Sequence, residues 1–308
     1  MKKINIILPV YNESDSIFEF QNYLTNFLTE MNYKFTITVI DDGSDDDSWL
    51  KLQKLEVNNN YSYKLIKFSR NFGHQAAIFS GLENFNEDAA IVMDADFQDD
   101  PKYISELLNE WEEGKKIVLA KRTRRHENIF RKIIFKIFYS IQQSMSEINL
   151  PKNVGHFSLL DKEIVEKINL FPERNRYFNG LRAFVSYEVG VIDVEKQSRK
   201  FGSTKMTLSK FISLAFRGIF DYGTKPIRFI GLAGILISLG SIFFSLIVLI
   251  QSQIYNIKVF NWDFGLSSIY FLSGIQLFSI SVLGEYISNI FIEVKKRPNY
   301  IIEKIISF

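Results

Sequence analysis

The sequence predicts an α/β domain on a mostly parallel sheet, followed by a C-terminal region that enters a membrane. Three observations predict it. Over the first 120 residues, short apolar strands alternate with amphipathic helices, the pattern of a parallel sheet flanked by helices. Polar clusters fall at the carboxyl ends of those strands, where such sheets bind ligands. Two long runs after residue 228 carry no charge.

Each element follows from local pattern. "INIILPV", Ile4 to Val10, is the first strand. Ser16 to Met31 is a helix, with Ile17, Phe20, Leu24, Phe27 and Leu28 at helical spacing. "FTITVIDDGS" and "YKLIKFS" are strands, "HQAAIFSGLENF" is a helix, and "AAIVMDAD" and "KKIVLAKR" are strands again. The polar ends are Tyr11-Asn12-Glu13, Asp41-Asp42-Gly43-Ser44, Arg70-Asn71, Asp94-Ala95-Asp96 and Lys121-Arg122. Alone, "IVMDADFQDD" reads more readily as an acidic solvated turn. Its place among four other polar strand ends makes it a candidate site. Two aspartates at i and i+2 of a strand end can reach one divalent cation, and Mg²⁺ or Mn²⁺ shares oxygen ligands with substrate phosphates.

Composition narrows the classes. A chain of 308 residues can hold one large domain or two. A net charge of +2 gives no global field toward nucleic acid, so none is expected as a partner. With no cysteine, a disulfide framework and thiolate metal sites are excluded. Ile4 to Val10 is too short for a cleavable signal peptide and runs into polar Tyr11 to Ser14.

Phe229 to Ile250 and Phe264 to Gly284 are uncharged and approach the roughly 20 residues that cross a hydrocarbon core. Lys225 and Arg228 precede the first run, and Lys295, Lys296 and Arg297 follow the second. The positive-inside bias places both termini in the cytoplasm. Lys210 to Tyr222, "KFISLAFRGIFDY", suits a helix in the membrane interface. Ile129 to Ile148 suits either an interface helix or an amphipathic helix packed on the sheet.

Eight stretches carry a resemblance: "LPVYNESDSI", "DDGSDDDS", "RNFGHQAAIFSGL", "MDADFQDDP", "LAKRTRR", "NVGHFSLLDKEIVE", "RKFGSTK" and "GEYISNIFIEVKKRPNY". Together they cover nearly the whole chain. The chain resembles the inverting family 2 glycosyltransferases of GT-A (Rossmann-like) fold, specifically the polyisoprenyl-phosphate glycosyltransferases. It is similar to the O-antigen-modifying bactoprenol glucosyl transferases, and more distantly to the dolichol-phosphate mannose synthases. The resemblance implies a cytoplasmic catalytic domain over 1–204, an interface helix over 205–228, and two membrane helices within 229–290 (about 229–250 and 264–287). A cytoplasmic tail over 291–308 follows. It implies a multi-pass protein of a bacterial inner membrane, a nucleotide-sugar donor, a polyisoprenyl phosphate acceptor and a homotetramer.

Residue roles follow from the same resemblance. Pro9, Tyr11, Glu13, Asp42, Arg70 and Asp94 would bind the nucleotide, with Asp42 accepting from the base. Asp94 and Asp96 would hold Mg²⁺ or Mn²⁺, with Gln98 the third member of the acidic motif and Arg122 close to phosphate. Arg125, Arg199, Thr204 and Lys205 would meet the acceptor phosphate. At His156 and Ser158 relatives commonly have Asp and Arg. His156 is then either structural or a donor contact, and the departure bears on the sugar. UDP-glucose is the expected donor, with UDP-HexNAc and GDP-mannose as alternatives. Transfer of one sugar would serve cell-surface glycan modification, such as O-antigen of lipopolysaccharide.

Two other classes are less well served. A processive polysaccharide synthase would carry Gln-x-x-Arg-Trp, and none of Trp49, Trp111 or Trp262 follows an arginine. A non-catalytic nucleotide-sugar sensor explains a pocket but not an acidic pair joined to a basic segment.

Overall fold

The computed structural model describes residues 1–122, 153–174, 176–185, 187–195, 225–255 and 262–308. They form two compact units, one of which contains the sheet and the C-terminal residues 296–308. Its strands are β1 (Lys3–Val10), β2 (Lys34–Asp41), β3 (Tyr61–Phe68), β4 (Ala89–Val92), β5 (Ile117–Arg122), β6 (Val154–Asp161), β7 (Val189–Val194) and β8 (Ile302–Ser307). Its helices are α1 (Ile17–Thr29), α2 (Ser48–Leu52), α3 (His74–Glu83), α4 (Ile104–Glu112), α5 (Lys162–Asn169) and α6 (Phe178–Phe184).

The sheet runs β7-β5-β6-β4-β1-β2-β3-β8. β1–β2, β2–β3, β1–β4 and β5–β7 pair in parallel. β6 lies antiparallel between β4 and β5, and β8 lies antiparallel on β3. The mostly parallel expectation therefore holds at the centre, where β1 joins β2 and β4. Alternate residues of β1 divide between two cores: Ile4, Ile6, Leu8 and Val10 face one, and Ile7 the other. Helices α1 and α4 close the first, α3, α5 and α6 the second. α1 does so through Ile17, Phe20, Leu24 and Leu28, all fully buried at helical spacing.

One strand end and one additional strand differ from the sequence expectation. β4 stops at Val92, because Asp94 to Gln98 turns back on itself instead of extending the strand. Residues 291–308, expected as a tail, contain β8. Its arrival covers the β3 edge, and an uncovered edge invites foreign pairing. The Tyr300 ring stacks on Phe68 at 4.9 Å, and Lys67 pairs with Glu303 at 2.9 Å.

The second unit contains two long helices, α7 (Lys225–Tyr255, 31 residues) and α8 (Trp262–Lys295, 34 residues). Both are long and apolar enough to cross a membrane, through Ile227–Phe244 and Ser268–Lys295. A soluble core helix would bury that surface, yet Phe229, Leu236, Phe243, Phe271 and Phe278 are all more than half exposed. The expected interface helices at 129–148 and 210–222 lie outside the described residues.

Candidate active site

Loops at the carboxyl ends of β1 and β2 are stitched together by short polar side chains. The Asn12 N–H donates to Ser44 Oγ at 3.0 Å, the Asp45 N–H to Asn12 Oδ1 at 2.9 Å, and the Glu13 N–H to Ser48 Oγ at 2.9 Å. Asn12 adopts φ +54°, tolerable for an asparagine in a turn. Asp41 and Asp42 are buried at the end of β2. The Asp41 carboxylate accepts from the Ser44 N–H and hydroxyl. Asp42 Oδ1 accepts from the Phe72 N–H at 2.7 Å, and Oδ2 from the Gly73 N–H at 2.9 Å. Burial pushes the Asp42 pKa up, and those two N–H groups restrain the rise. Gly43 is required between them and the next loop. It sits at φ +65°, and a Cβ there would meet the Arg70 carbonyl carbon at 2.3 Å.

The acidic stretch beyond β4 is folded by a different device. Phe97 takes φ +62°, a strained conformation for a bulky residue, and its buried ring packs edge-on against Phe20 at 5.3 Å. The turn lets the Asp94 N–H donate to Asp99 Oδ2 at 3.2 Å and the Gln98 N–H to Asp96 Oδ1 at 3.1 Å. The Gln98 amide also donates to Asp96 Oδ2. His74 Nε2 lies 2.9 Å from Asp94 Oδ1. Burial would raise the Asp94 pKa, but the hydrogen bond and charge of His74, with His156 and Arg122 beyond, hold it well below the carboxylate range. Asp99 goes the other way: burial, then the Asp94 charge, push it up, and Arg122 at 3.6 Å opposes.

Between the two ends lies a cavity of about 270 Å³. Pro9, Tyr11, Glu13 and Asp42 line one side, Asp94 and Asp96 the other. The structure thus gathers most of the nucleotide and metal candidates. Arg70 is not among the lining side chains; it is exposed, with its guanidinium 4.1 Å from the Phe72 ring. Gln98, Arg122 and His156 stand one step behind the wall, on Asp96, Asp99 and His74 respectively. Arg125, Arg199, Thr204 and Lys205 lie outside the described residues. Asn71, part of a polar strand end picked out from the sequence, lines the cavity, as do Gly73 and His74, which sequence reasoning did not single out.

His156 sits on β6 with its ring 5.0 Å from that of His74. Its Nδ1 is buried without a hydrogen-bond partner among the described residues, and burial pushes its pKa down to about 4. Ser158, two residues on, donates to the His156 carbonyl and accepts from buried Arg182 at 2.6 Å. Arg182 also donates to the Gly155 carbonyl at 3.1 Å, and burial lowers its pKa to about 10.

Residues 5–169, which contain this whole cavity, match the model of glycosyl transferase family 2. The chain belongs to that family. It is 35% identical over 303 residues to the SfII prophage-derived bactoprenol glucosyl transferase of Shigella flexneri, covering 98% of each chain. To the prophage bactoprenol glucosyl transferase homolog of Escherichia coli K12 it is 34% identical, covering 98% of this chain and 99% of that one. A solved structure, the glucosyl-3-phosphoglycerate synthase of Mycobacterium tuberculosis, is matched with TM-score 0.48 at 16% identity over 71% of this chain and 78% of that one. That match is too loose to bear on chemistry.

In this family 2 glycosyl transferase the acidic wall is suited to a hard cation. Among the described residues no three His, Cys, Asp or Glu side chains form a ready-made metal cage. Two cavity-lining carboxylates fit an ion that takes its other ligands from water and substrate phosphates, as Mg²⁺ does.

Proposed function

We propose that this family 2 glycosyl transferase moves one sugar from a nucleotide diphosphate sugar, UDP-glucose in the first instance, to undecaprenyl phosphate at the cytoplasmic face of a bacterial inner membrane. The observation that carries this reading is the cavity itself. One strand-end wall offers Pro9, Tyr11, Glu13 and Asp42 to a nucleoside, and the facing wall offers Asp94 and Asp96 to a diphosphate and its cation. The polyprenyl acceptor is supported by the bactoprenol named in two relatives that align end to end with this chain.

The reaction is one displacement. An oxygen of the lipid phosphate bonds to the anomeric carbon, and the bond from that carbon to the nucleotide diphosphate breaks, the diphosphate leaving with the electron pair. No proton has to move. A phosphate monoester with a second pKa of about 6 is mostly dianionic near neutral pH, so a strong general base is unnecessary. Attack opposite the leaving group inverts the anomeric centre. Mg²⁺ or Mn²⁺, when bound by Asp94 and Asp96, supplies Lewis-acid neutralisation of the leaving diphosphate. The chain's own residues bind and orient. Gln98 fixes the Asp96 carboxylate through two hydrogen bonds, and Arg122 lends positive charge behind Asp99. Arg125, Arg199, Thr204 and Lys205 would gather the acceptor phosphate.

The placement of β8 supports a two-span hairpin. β1 and β8 belong to one sheet, so the chain returns after α8 to the side it left. Two crossings, by α7 and α8, satisfy that; one would strand β8 across the membrane. With basic residues at 225, 228 and 295–297, that side is the cytoplasm. A homotetramer is carried by resemblance.

The test is to incubate the purified chain with undecaprenyl phosphate, Mg²⁺ and UDP-glucose, UDP-HexNAc or GDP-mannose, and weigh the lipid. Gain of one hexose from UDP-glucose is expected. An unchanged lipid with every donor would refute the reading, and gain from another donor would reassign the sugar.

A further inference from the structure

We propose that His74 is a positioning residue: through Nε2 it holds one carboxylate oxygen of Asp94, so that the other is presented to a divalent cation. The inference rests on the reading of Asp94 as a cation ligand. Its first support is the contact, Nε2 to Oδ1 at 2.9 Å, between two residues that both line the cavity. Its second is how firmly His74 is placed. It is the first residue of α3, and the two backbone N–H groups just before it, of Phe72 and Gly73, are both taken by the Asp42 carboxylate. On the far side its ring meets His156 at 5.0 Å. The three residues Phe72 to His74 therefore tie the two acidic walls together.

The contact contributes little to the fold. The His74 and Asp94 side chains are 42% and 29% exposed, and partly exposed pairs of this kind add little stability. Orientation is what it supplies. Asp94 is crowded by Asp96 and Asp99, and a carboxylate without a fixed partner would rotate among several arrangements. Outer partners of metal ligands typically affect cation affinity or activity by about 10–100-fold.

The experiment uses the full chain in detergent with UDP present and Mn²⁺ as the probe, free Mn²⁺ being read by electron paramagnetic resonance. His74→Phe keeps a ring against His156 but removes the donor, and His74→Gln restores an N–H near the Nε2 position. Mn²⁺ affinity should fall about 10–100-fold in His74→Phe and stay within about threefold in His74→Gln, with both thermal midpoints near wild type. If the Phe ring cannot be seated and the protein does not fold, His74→Leu removes the same donor. Unchanged affinity in the donor-free variant overturns the proposal, as does an equal loss in His74→Gln. Asp94→Asn distinguishes the cation role of Asp94 from the positioning role of His74. Wild-type Mn²⁺ affinity in that variant would sink the cation reading of Asp94 itself, whatever His74 does.

Discussion

At the end of β2, Asp42 takes its hydrogen bonds from the backbone N–H groups of Phe72 and Gly73, and Asp41 takes its own from Ser44. At the end of β4, Asp94 leans on the His74 side chain, Asp96 on both the N–H and the side-chain amide of Gln98, and Asp99 on the Asp94 N–H with Arg122 nearby. Of the carboxylates that line the cavity, Asp42 is held by backbone donors, which cannot leave without unmaking the loop, whereas Asp94 is held by a side chain and Asp96 by a side chain as well as an N–H. The first wall is therefore scaffold, and under the proposed function it also lines the nucleoside space. The second presents carboxylates, set by His74 and Gln98, to the cation of the proposed function. Identical residue types at equivalent strand ends thus do different work, and their partners decide which.

Substitutions on the two walls should fail differently. The largest effect is expected at Asp96. Asn there removes a carboxylate from the cation wall and should cut turnover on the order of 10³-fold while the thermal midpoint stays near wild type. Residual near-normal turnover in chelator-treated buffer would erase the contrast. Gly43→Ala strikes the scaffold instead. Its positive φ and the Arg70 backbone at 2.3 Å leave no room for a methyl group. We expect a loss of about 3 kcal/mol in unfolding stability, read by chemical denaturation. Asp42→Ala should come next, costing about 2 kcal/mol because two backbone N–H groups lose their acceptor. It should also weaken nucleotide binding, and intact stability would show that the loop does not depend on Asp42. Smallest is Glu303→Gln on the β8 edge. Its pair with Lys67, in which the Glu303 side chain is half exposed, should be worth under about 1 kcal/mol, with activity unchanged.

The same contrast explains what the sequence could disclose. β1 to β5 are legible because each is an apolar run ending in polar residues, and one local signal carries both the strand and the candidate site. β6 is not, since His156 and Ser158 interrupt its apolar alternation and its place between β4 and β5 is a long-range pairing. β8 is hidden for the same reason: only the β3 edge, more than 200 residues earlier in the chain, makes Ile302–Ser307 a strand. Asp94 and Asp96 stand out by their spacing only together with their place among other polar strand ends. His74 had a weaker signal, a histidine just after glycine at the turn from a strand into a helix, but its partner lies 20 residues away and the turn alone does not name it. Arg70 shows the reverse limit, where a strand-end position fixes the backbone but not the direction of the side chain, whose guanidinium lies 4.1 Å from the Phe72 ring.

Calorimetric titration of UDP into the full chain, with and without Mg²⁺, tests the division of the cavity most directly when repeated on Asp96→Asn. The account predicts that chelation weakens UDP binding to the wild type at least about tenfold, and that Asp96→Asn binds UDP equally weakly with or without Mg²⁺. Equal UDP affinity of the wild type in Mg²⁺ and in chelator would contradict it.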